Sequence, residues 1–369
     1  MLHIIVNPAS SSGRGARVWK VVEKQIREDG QPYAVHFSTP VKGIEQICEE
    51  ITSDGQENTL LILGGDGSMN EAVNGIRNFE RTRVGFLQIG SGNDLQRDMH
   101  LPKDQREIIA SVLRGQVVRR CDVGEVLFHD RHSILPGWED PRYARRLFNV
   151  GCGIGFDAEC CWAAASSRFK SVLNALRLGK LIYLAAAIRL IFTSQMADCE
   201  ITFEGGTGCK ADGGAGISVG SDAGNASNGD AGSMSESGAG STAGVAGGGA
   251  GNTSHPEGTS LHYKKLLFAA CMNHQYQGGG FRFCPHASAD DGRIDLCTAS
   301  DIARPNFFRI FPHAYNGGHL RYRGVTEERS VSFTIRTDRP LWVQTDGEVT
   351  CRSSHITVRL LPGQLRLVI

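Results

Sequence analysis

Residues 59–76 read TLLILGGDGSMNEAVNGI. TLLIL (59–63) is an all-apolar run, the pattern of a strand buried on both faces. SMNEAVNGI (68–76) places Met69, Ala72, Val73 and Ile76 on one helical face. Strand, glycine turn and helix therefore follow one another, the unit of a parallel sheet covered by helices. A tight turn accounts for one or two glycines. It does not account for Asp66, a carboxylate set between glycines at the end of a buried strand.

The same alternation extends outward over residues 1–120. HIIV (3–6), YAVHFS (33–38) and RVGFLQI (83–89) read as strands. Ala16 to about Glu28, IEQICEEI (44–51) and DQREIIASVLRG (104–115) read as helices, the last stopping on glycine. An α/β domain with a Rossmann-like parallel sheet is expected there. Beyond Cys121 the texture is β-rich. VGEVLF, RRLFNVGCG, DCEITFE, KKLLFAACMN, RIDLCTA, RSVSFTIRT, LWVQTDGE and HITVRLL are separate strand candidates, with one helical stretch at about 157–194. Residues 121–369 are thus expected to form a second, β-rich domain, with the extreme C-terminus free to return to the first. Within it, 205–258 is Gly/Ser/Ala low complexity and is expected to be a disordered insertion, because it lacks the apolar surface to offset chain entropy.

Three glycine-rich loops close predicted strands of the first domain: NPASSSGRG (7–15), GGDGSMNE (64–71) and GSGND (90–94). In an open parallel sheet these strand ends share one edge, where ligands bind. Glycine lets backbone N–H groups approach phosphate, and a following helix N-terminus favours negative charge. As isolated turns the loops would be unremarked; three on one edge, two of them carrying acid, point to a site for a phosphate-bearing ligand. GxxxxGK[ST] and GxGxxG are both absent, and so are the HRD and DFG elements of protein kinases.

The 369 residues are enough for two domains. Lys+Arg and Asp+Glu both number 39, so a dedicated nucleic-acid binder, with its basic excess, is not expected. The eleven cysteines form no CxxC pair and lie in apolar runs, as expected of reduced thiols in a cytoplasmic protein. The N-terminus reads as a strand and not as a signal peptide. LGKLIYLAAAIRLIFT (178–193) is interrupted by Lys180 and Arg189, short of the roughly 20 apolar residues of a membrane span. It reads as a packed helix or as a lipid-facing wall, with Arg177, Lys180 and Arg189 placed to meet anionic headgroups. Arg142, Arg145 and Arg146 read in the same two ways, as solvated charges in the ordinary case or as a face for anionic headgroups.

GGDGSMNEAVNGI resembles the GGDGT-x-x-E-x-x-N-G-[IL] signature of the diacylglycerol kinase catalytic domain, shared with sphingosine kinases and soluble bacterial lipid kinases. IIVNPASSSGRG (4–15) is similar to the family's first loop, and LQIGSGNDLQRDM (87–99) to its third. GGGFRFCPHASADDGRIDL (278–296) and TDGE (345–348) resemble its second-domain motifs. The five occur in the family's order over residues 4–348. The resemblance implies an N-terminal NAD kinase-like nucleotide domain, a C-terminal β-sandwich, ATP as phosphoryl donor, Mg2+ and a lipid hydroxyl as acceptor. Diacylglycerol is the default; monoacylglycerol, phosphatidylglycerol, sphingoid bases and polyprenols stay open.

Carried over by position, Asn7, Ser10, Gly13 and Gly15 would border the nucleotide, with Thr39 a further contact. Gly64, Gly65, Asp66, Gly67 and Ser68 would lie against the triphosphate, with Glu71 pointing back at it. Ser91, Gly92, Asn93 and Asp94 would form the third loop. Asp346 and Glu348 would supply the general base, with Glu348 favoured. Asp66 and Asp122 would join Asp346 around the catalytic Mg2+. Asp291, with the carbonyls of Ser288 and Arg293, matches a structural Mg2+ site of soluble members, all-oxygen as that ion prefers. Ser68 and Ser91 stand where the family has Thr, and Gln88 near its usual Pro. The resemblance further implies a cytoplasmic enzyme touching the membrane peripherally, with a homodimer left open. An NAD kinase shares GGDG, but SMNEAVNG and DGE favour the lipid branch. A catalytically silent lipid-binding protein is opposed by the intact Asp66, Glu71, Asp346 and Glu348.

Overall fold

The computed structural model of the chain describes residues 1–90, 92, 94–102, 104–115, 118–166, 189–204 and 253–369. The first strands are β1 (Leu2–Val6), β2 (Tyr33–Phe37), β3 (Asn58–Gly64) and β4 (Thr82–Gln88). They are mutually parallel in the order β2-β1-β3-β4. Leu60 to Leu63 are all fully buried, as an all-apolar central strand requires. Helices α1 (Ser10–Asp29), α2 (Ile44–Thr52), α3 (Asp66–Gly75), α4 (Asp94–Asp98) and α5 (Gln105–Arg114) follow or connect these strands. Two apolar layers result: α2 and α3 cover one face with Ile47, Met69 and Val73, while α1 and α5 cover the other with Trp19, Val22 and Ile109.

SSSGRG, expected as a loop before a helix at Ala16, falls within the span of α1, but Ser11 and Gly13 have φ of 48° and 87°, so the segment is not regular helix there. A positive φ of 87° at Gly13 lets the backbone turn there.

β5 (Val118–Phe128) runs through position 120 and leads into the β-rich part. There follow β6 (Arg145–Phe148), β7 (Gly151–Gly155), helix α6 (Phe156–Ser166), β8 (Ala197–Glu204), β9 (Thr253–Ser254), β10 (Ser260–Met272), β11 (Tyr276–Gln277) and β12 (Phe281–Arg282). The chain ends with β13 (Ile294–Ser300), β14 (Val325–Ser330), β15 (Ser332–Thr345) and β16 (Glu348–Val368). Pairing here is antiparallel except for β9 against β14. RSVSFTIRT and LWVQT, expected as two strands, are one irregular strand, β15; its register shifts between Arg336 and Leu341. A second core fills this part, with Phe148, Ile201, Phe203, Phe333 and Ile356.

β16 joins the two parts. It leaves the DGE turn against β15, then pairs with β5, and its last residues, Arg366–Val368, lie parallel to β4. The C-terminus thus returns to the first sheet.

Residues 253–258, expected within the insertion, belong to the folded second part: β9 pairs with β14, and the Gly258 N–H donates to the Phe203 carbonyl. Most of the insertion lies outside the described residues, and so do 178–188 of the apolar stretch; 189–193 are helical. Among the described residues no helix is long and apolar enough to cross a membrane. The ten described cysteines are free thiols.

Candidate active site

The three glycine loops meet at the C-terminal edge of β1, β3 and β4. Asn7 Nδ2 donates to Ser68 Oγ at 3.1 Å, joining the first loop to the second. Ser11 Oγ donates to the Ile89 carbonyl at 2.6 Å, joining the first to the third. A Cβ on Gly92 would stand 2.8 Å from Asp66 Oδ2, so only glycine brings the third loop this close to that carboxylate. Ser10 and Asp66 open helices α1 and α3, and neither N-terminus has a side-chain cap. Their first-turn amides and dipoles make an anion site. Gln88 Nε2 donates to Asp66 Oδ1 at 2.5 Å, while Gln88 Oε1 is buried without a partner. Oxygen donors at a site that attracts anions suit Mg2+. Ser91 and Asn93 lie outside the described residues.

Helix α3 carries this edge to the DGE turn. Asn70 Nδ2 donates to Asp346 Oδ2 at 2.9 Å and to the Leu147 carbonyl at 3.0 Å. Asn74 donates to the same carbonyl and accepts the Leu147 N–H, both at 2.9 Å, completing the edge of β6. Asp66 and Asn70 are four residues apart, about 6 Å along the helix axis. The phosphate-type loops and DGE are therefore set one helical turn apart.

Asp346 and Gly347 have φ of 49° and 88°, the two positive values of a type I′ hairpin turn, for which Asp-Gly is a preferred sequence. The Asp346 carboxylate is saturated. Oδ1 accepts the Val150 and Gly151 N–H groups at 2.8 and 3.0 Å. Oδ2 accepts the Asn149 N–H at 2.8 Å together with Asn70. Asn149 Nδ2 adds a longer bond to Oδ2 at 3.4 Å, so five N–H groups surround the carboxylate. Through these bonds Asp346 clamps the turn to β7 and the residues before it.

Glu348 carries the chemistry of the turn. Its side chain is 36% exposed, and Oε2 accepts from Arg146 Nη2 at 3.2 Å. Burial pushes its carboxyl up to about 7; Arg146 opposes this, and the charges of Glu71, Glu45 and Asp346 add to it. Arg146, expected on a solvated face, is only 1% exposed. It donates to Glu45 Oε2 and Asn70 Oδ1 and lies 4.8 Å from the Trp138 ring centre.

Several expected site residues make contacts within the fold. Glu71 Oε2 accepts the Ile44 N–H at 2.8 Å, so it caps α2 instead of pointing at phosphate. Thr39 is exposed and closes a turn with Lys42. Asp122 accepts the Gly292 and Gly363 N–H groups, both at 2.7 Å. It therefore holds the 288–293 loop to β16 and does not join the DGE turn. Burial raises its pKa, against those two amides. Asp291 accepts the Arg293 N–H and pairs with Arg329 Nη1 at 3.2 Å. Asp291 is thus held by an arginine, and the Ser288 hydroxyl donates to Asp290 Oδ1 at 2.7 Å. Among the described residues no group of three or more His, Cys, Asp or Glu is arranged to hold a metal. Asp94 accepts the Gly279 N–H at 2.8 Å and Arg97 at 2.7 Å, tying the third loop to the GGG stretch of the second part.

Comparison with known proteins agrees with this division. Residues 1–126 match the diacylglycerol kinase catalytic domain, and 253–369 match the YegS C-terminal NAD kinase beta sandwich-like domain. The first part of the chain thus carries a diacylglycerol kinase catalytic domain and the last part a YegS-like one. Along 350 residues, 94% of this chain and 92% of the other, it is 23% identical to the Bacillus subtilis protein named "Putative lipid kinase YtlR". A Staphylococcus carnosus protein named diacylglycerol kinase is 29% identical over 124 residues, covering 33% of this chain and 40% of that one. A solved structure titled as a putative diacylglycerol kinase from Bacillus anthracis shares the fold over the whole chain and 94% of its own, with a TM-score of 0.62 at 17% identity. The chain is accordingly a kinase of two-domain plan, with a β-sandwich-like C-terminal domain.

The family's signature acquires a structural meaning here. In ExxNG, Glu71 caps α2 and Asn74 completes β6. At Gly75 a Cβ would run into the Glu45 carbonyl, so glycine lets α2 pack directly on α3. Arg146, Glu45 and Asn149 lie outside the quoted motifs, and nothing local in the sequence marks them.

Proposed function

We propose that the chain is an ATP-dependent lipid kinase that transfers the γ-phosphoryl group to a lipid hydroxyl, with diacylglycerol as acceptor and phosphatidic acid as product. The observation that carries this reading is the placement of Glu348: a partly exposed carboxylate paired with Arg146, on the turn that α3 joins to the edge where three phosphate-type loops converge. The parallel sheet and its loop edge support a Rossmann-like nucleotide domain. The uncapped N-termini of α1 and α3 would receive the phosphates, with Asn7, Gly65 and Ser68 beside them. Asp66, with Gln88, is the carboxylate suited to hold Mg2+, which when bound neutralises phosphate charge. Asp346 and Asp122 are given no part in it.

The acceptor hydroxyl is a poor nucleophile and needs a positioned acceptor for its proton. Glu348 takes that proton as the hydroxyl oxygen bonds to the γ-phosphorus. The bond from that phosphorus to the β–γ bridging oxygen breaks, and ADP leaves with the electron pair. Arg146 holds the Glu348 carboxylate in place and, being ion-paired to Glu45 as well, leaves it basic. A bilayer substrate calls for peripheral contact with the membrane. Exposed Trp162, Phe192 and Phe308, all in the second domain, supply aromatic surface of the kind found at lipid interfaces.

The test is transfer of radiolabel from γ-labelled ATP to diacylglycerol in mixed micelles, beside a total lipid extract and NAD. Labelled phosphatidic acid is the expected product. Label in another lipid class moves the acceptor, label in NAD alone restores the NAD kinase reading, and no label in any arm overturns the enzyme assignment.

A further inference from the structure

One turn beyond the DGE site, the hydrogen bonds lead to an acid that the mechanism does not use. The Gly347 N–H donates to Gln344 Oε1 at 2.7 Å, and Gln344 Nε2 donates to Asp157 Oδ2 at 3.0 Å. Gln344 is 1% exposed and lies on β15, in register with Gly153 of β7. Asp157 sits in the first turn of α6, where the helix dipole favours a carboxylate. Its other oxygen, Oδ1, is sealed from solvent and has no partner. A Cβ on Gly153 would collide with the carboxylate, so glycine there makes room for it.

We infer that Asp157 is a positioning residue for the DGE turn: through Gln344 it fixes the Gly347 amide, and with it the carboxylate of Glu348. The reasoning is directional. A glutamine amide can rotate by half a turn and exchange its donor for its acceptor. An ionised carboxylate only accepts, so Asp157 obliges Gln344 to present Nε2 to it and Oε1 to Gly347. Rotated the other way, Gln344 would aim a donor at the Gly347 donor and release that side of the turn. Asp346 holds one side of the I′ turn to β7, and the Asp157–Gln344 pair holds the other. Burial raises the Asp157 pKa to about 6, so at pH 8 it is the required acceptor.

The inference rests on Glu348 as proton acceptor, and its test separates the two. Hydrogen exchange of the peptide spanning 344–349 reads the turn without any activity, and kcat against KM reads the site. At pH 8, Asp157→Leu is expected to speed exchange about tenfold and to lower kcat about tenfold, with the KM for ATP within twofold of the parent. Gln344→Glu places two carboxylates face to face and is expected to do the same. The double variant Asp157→Asn/Gln344→Glu restores a donor–acceptor pair in the reversed sense. It is expected to recover most of both losses, which a merely structural role for Asp157 would not do. Exchange at 344–349 unchanged in Asp157→Leu, or losses that add in the double variant, would overturn the inference. Should the parent transfer nothing to any lipid, the functional reading fails, while exchange in the same variants still decides the role of Asp157.

Discussion

At the scale of single residues, the two carboxylates of DGE divide the work. Asp346 is surrounded by five N–H donors and shapes the backbone, whereas Glu348 has one bond to Arg146 at 3.2 Å. Glu348→Gln keeps the shape and removes the base, and kcat should fall by about 10²–10⁴-fold with little change in the KM for ATP. In the parent, kcat should rise with pH through about 7, the value to which burial raises this carboxyl. The same shift fixes a sign for stability. A carboxyl held above its unfolded value favours the folded state while protonated, and that contribution is lost as pH rises through about 7. Gln stays neutral, so Glu348→Gln should melt higher than the parent at pH 8 and match it at pH 4. A melting point unchanged at pH 8 would show that Arg146 already compensates the ionised form. The pair was visible in the sequence as TDGE, but its division was not. Which carboxylate is saturated depends on Asn149, Val150 and Gly151, nearly two hundred positions away.

At the scale of elements, α3 is the part on which the site depends. Its first residue, Asp66, belongs to the phosphate edge, its middle holds Asp346, and its end packs on α2. Glu71 gives the sharpest contrast between the sequence expectation and the observed role. As a cap of α2, its loss should cost about 1 kcal/mol of stability. Glu71→Ala should therefore lower the unfolding midpoint in urea while leaving the KM for ATP within twofold; a large rise in that KM would return Glu71 to the phosphate. Gly75→Ala tests the other end. The added methyl meets the Glu45 backbone, and overpacking of this kind costs about 1–3 kcal/mol. Because Glu45 also holds Arg146, kcat should drop along with stability. Strands, helices and the glycine edge were legible because hydrophobic periodicity is a local property. The capping of α2 by Glu71 and the burial of Arg146 were not, since each is decided by a neighbour distant in sequence.

At the scale of the whole molecule, β16 joins the strands of both domains into one sheet. It begins at Glu348 and ends between β4 and β5, so the strand that carries the proposed base also completes the sheet that carries the nucleotide loops. A sequence boundary near 120 does not show this, because the returning segment is far away in the chain. Leu365, Leu367 and Val368 are each 3% exposed or less. Burying each contributes about 1.5–3 kcal/mol, a large share of the roughly 5–15 kcal/mol that holds a domain folded. A chain ended after Leu361 should therefore lose the first domain as well as the last strand. The intact protein should in turn unfold in one transition, seen equally from both parts. Trp19 packs in the first domain and Trp342 in the second, so single-tryptophan variants retaining one or the other should give the same urea midpoint. Two separated midpoints would mean that the β16 joint is too weak to couple the domains. In that case the chain ended after Leu361 should keep a folded first domain, detectable by the fluorescence of Trp19.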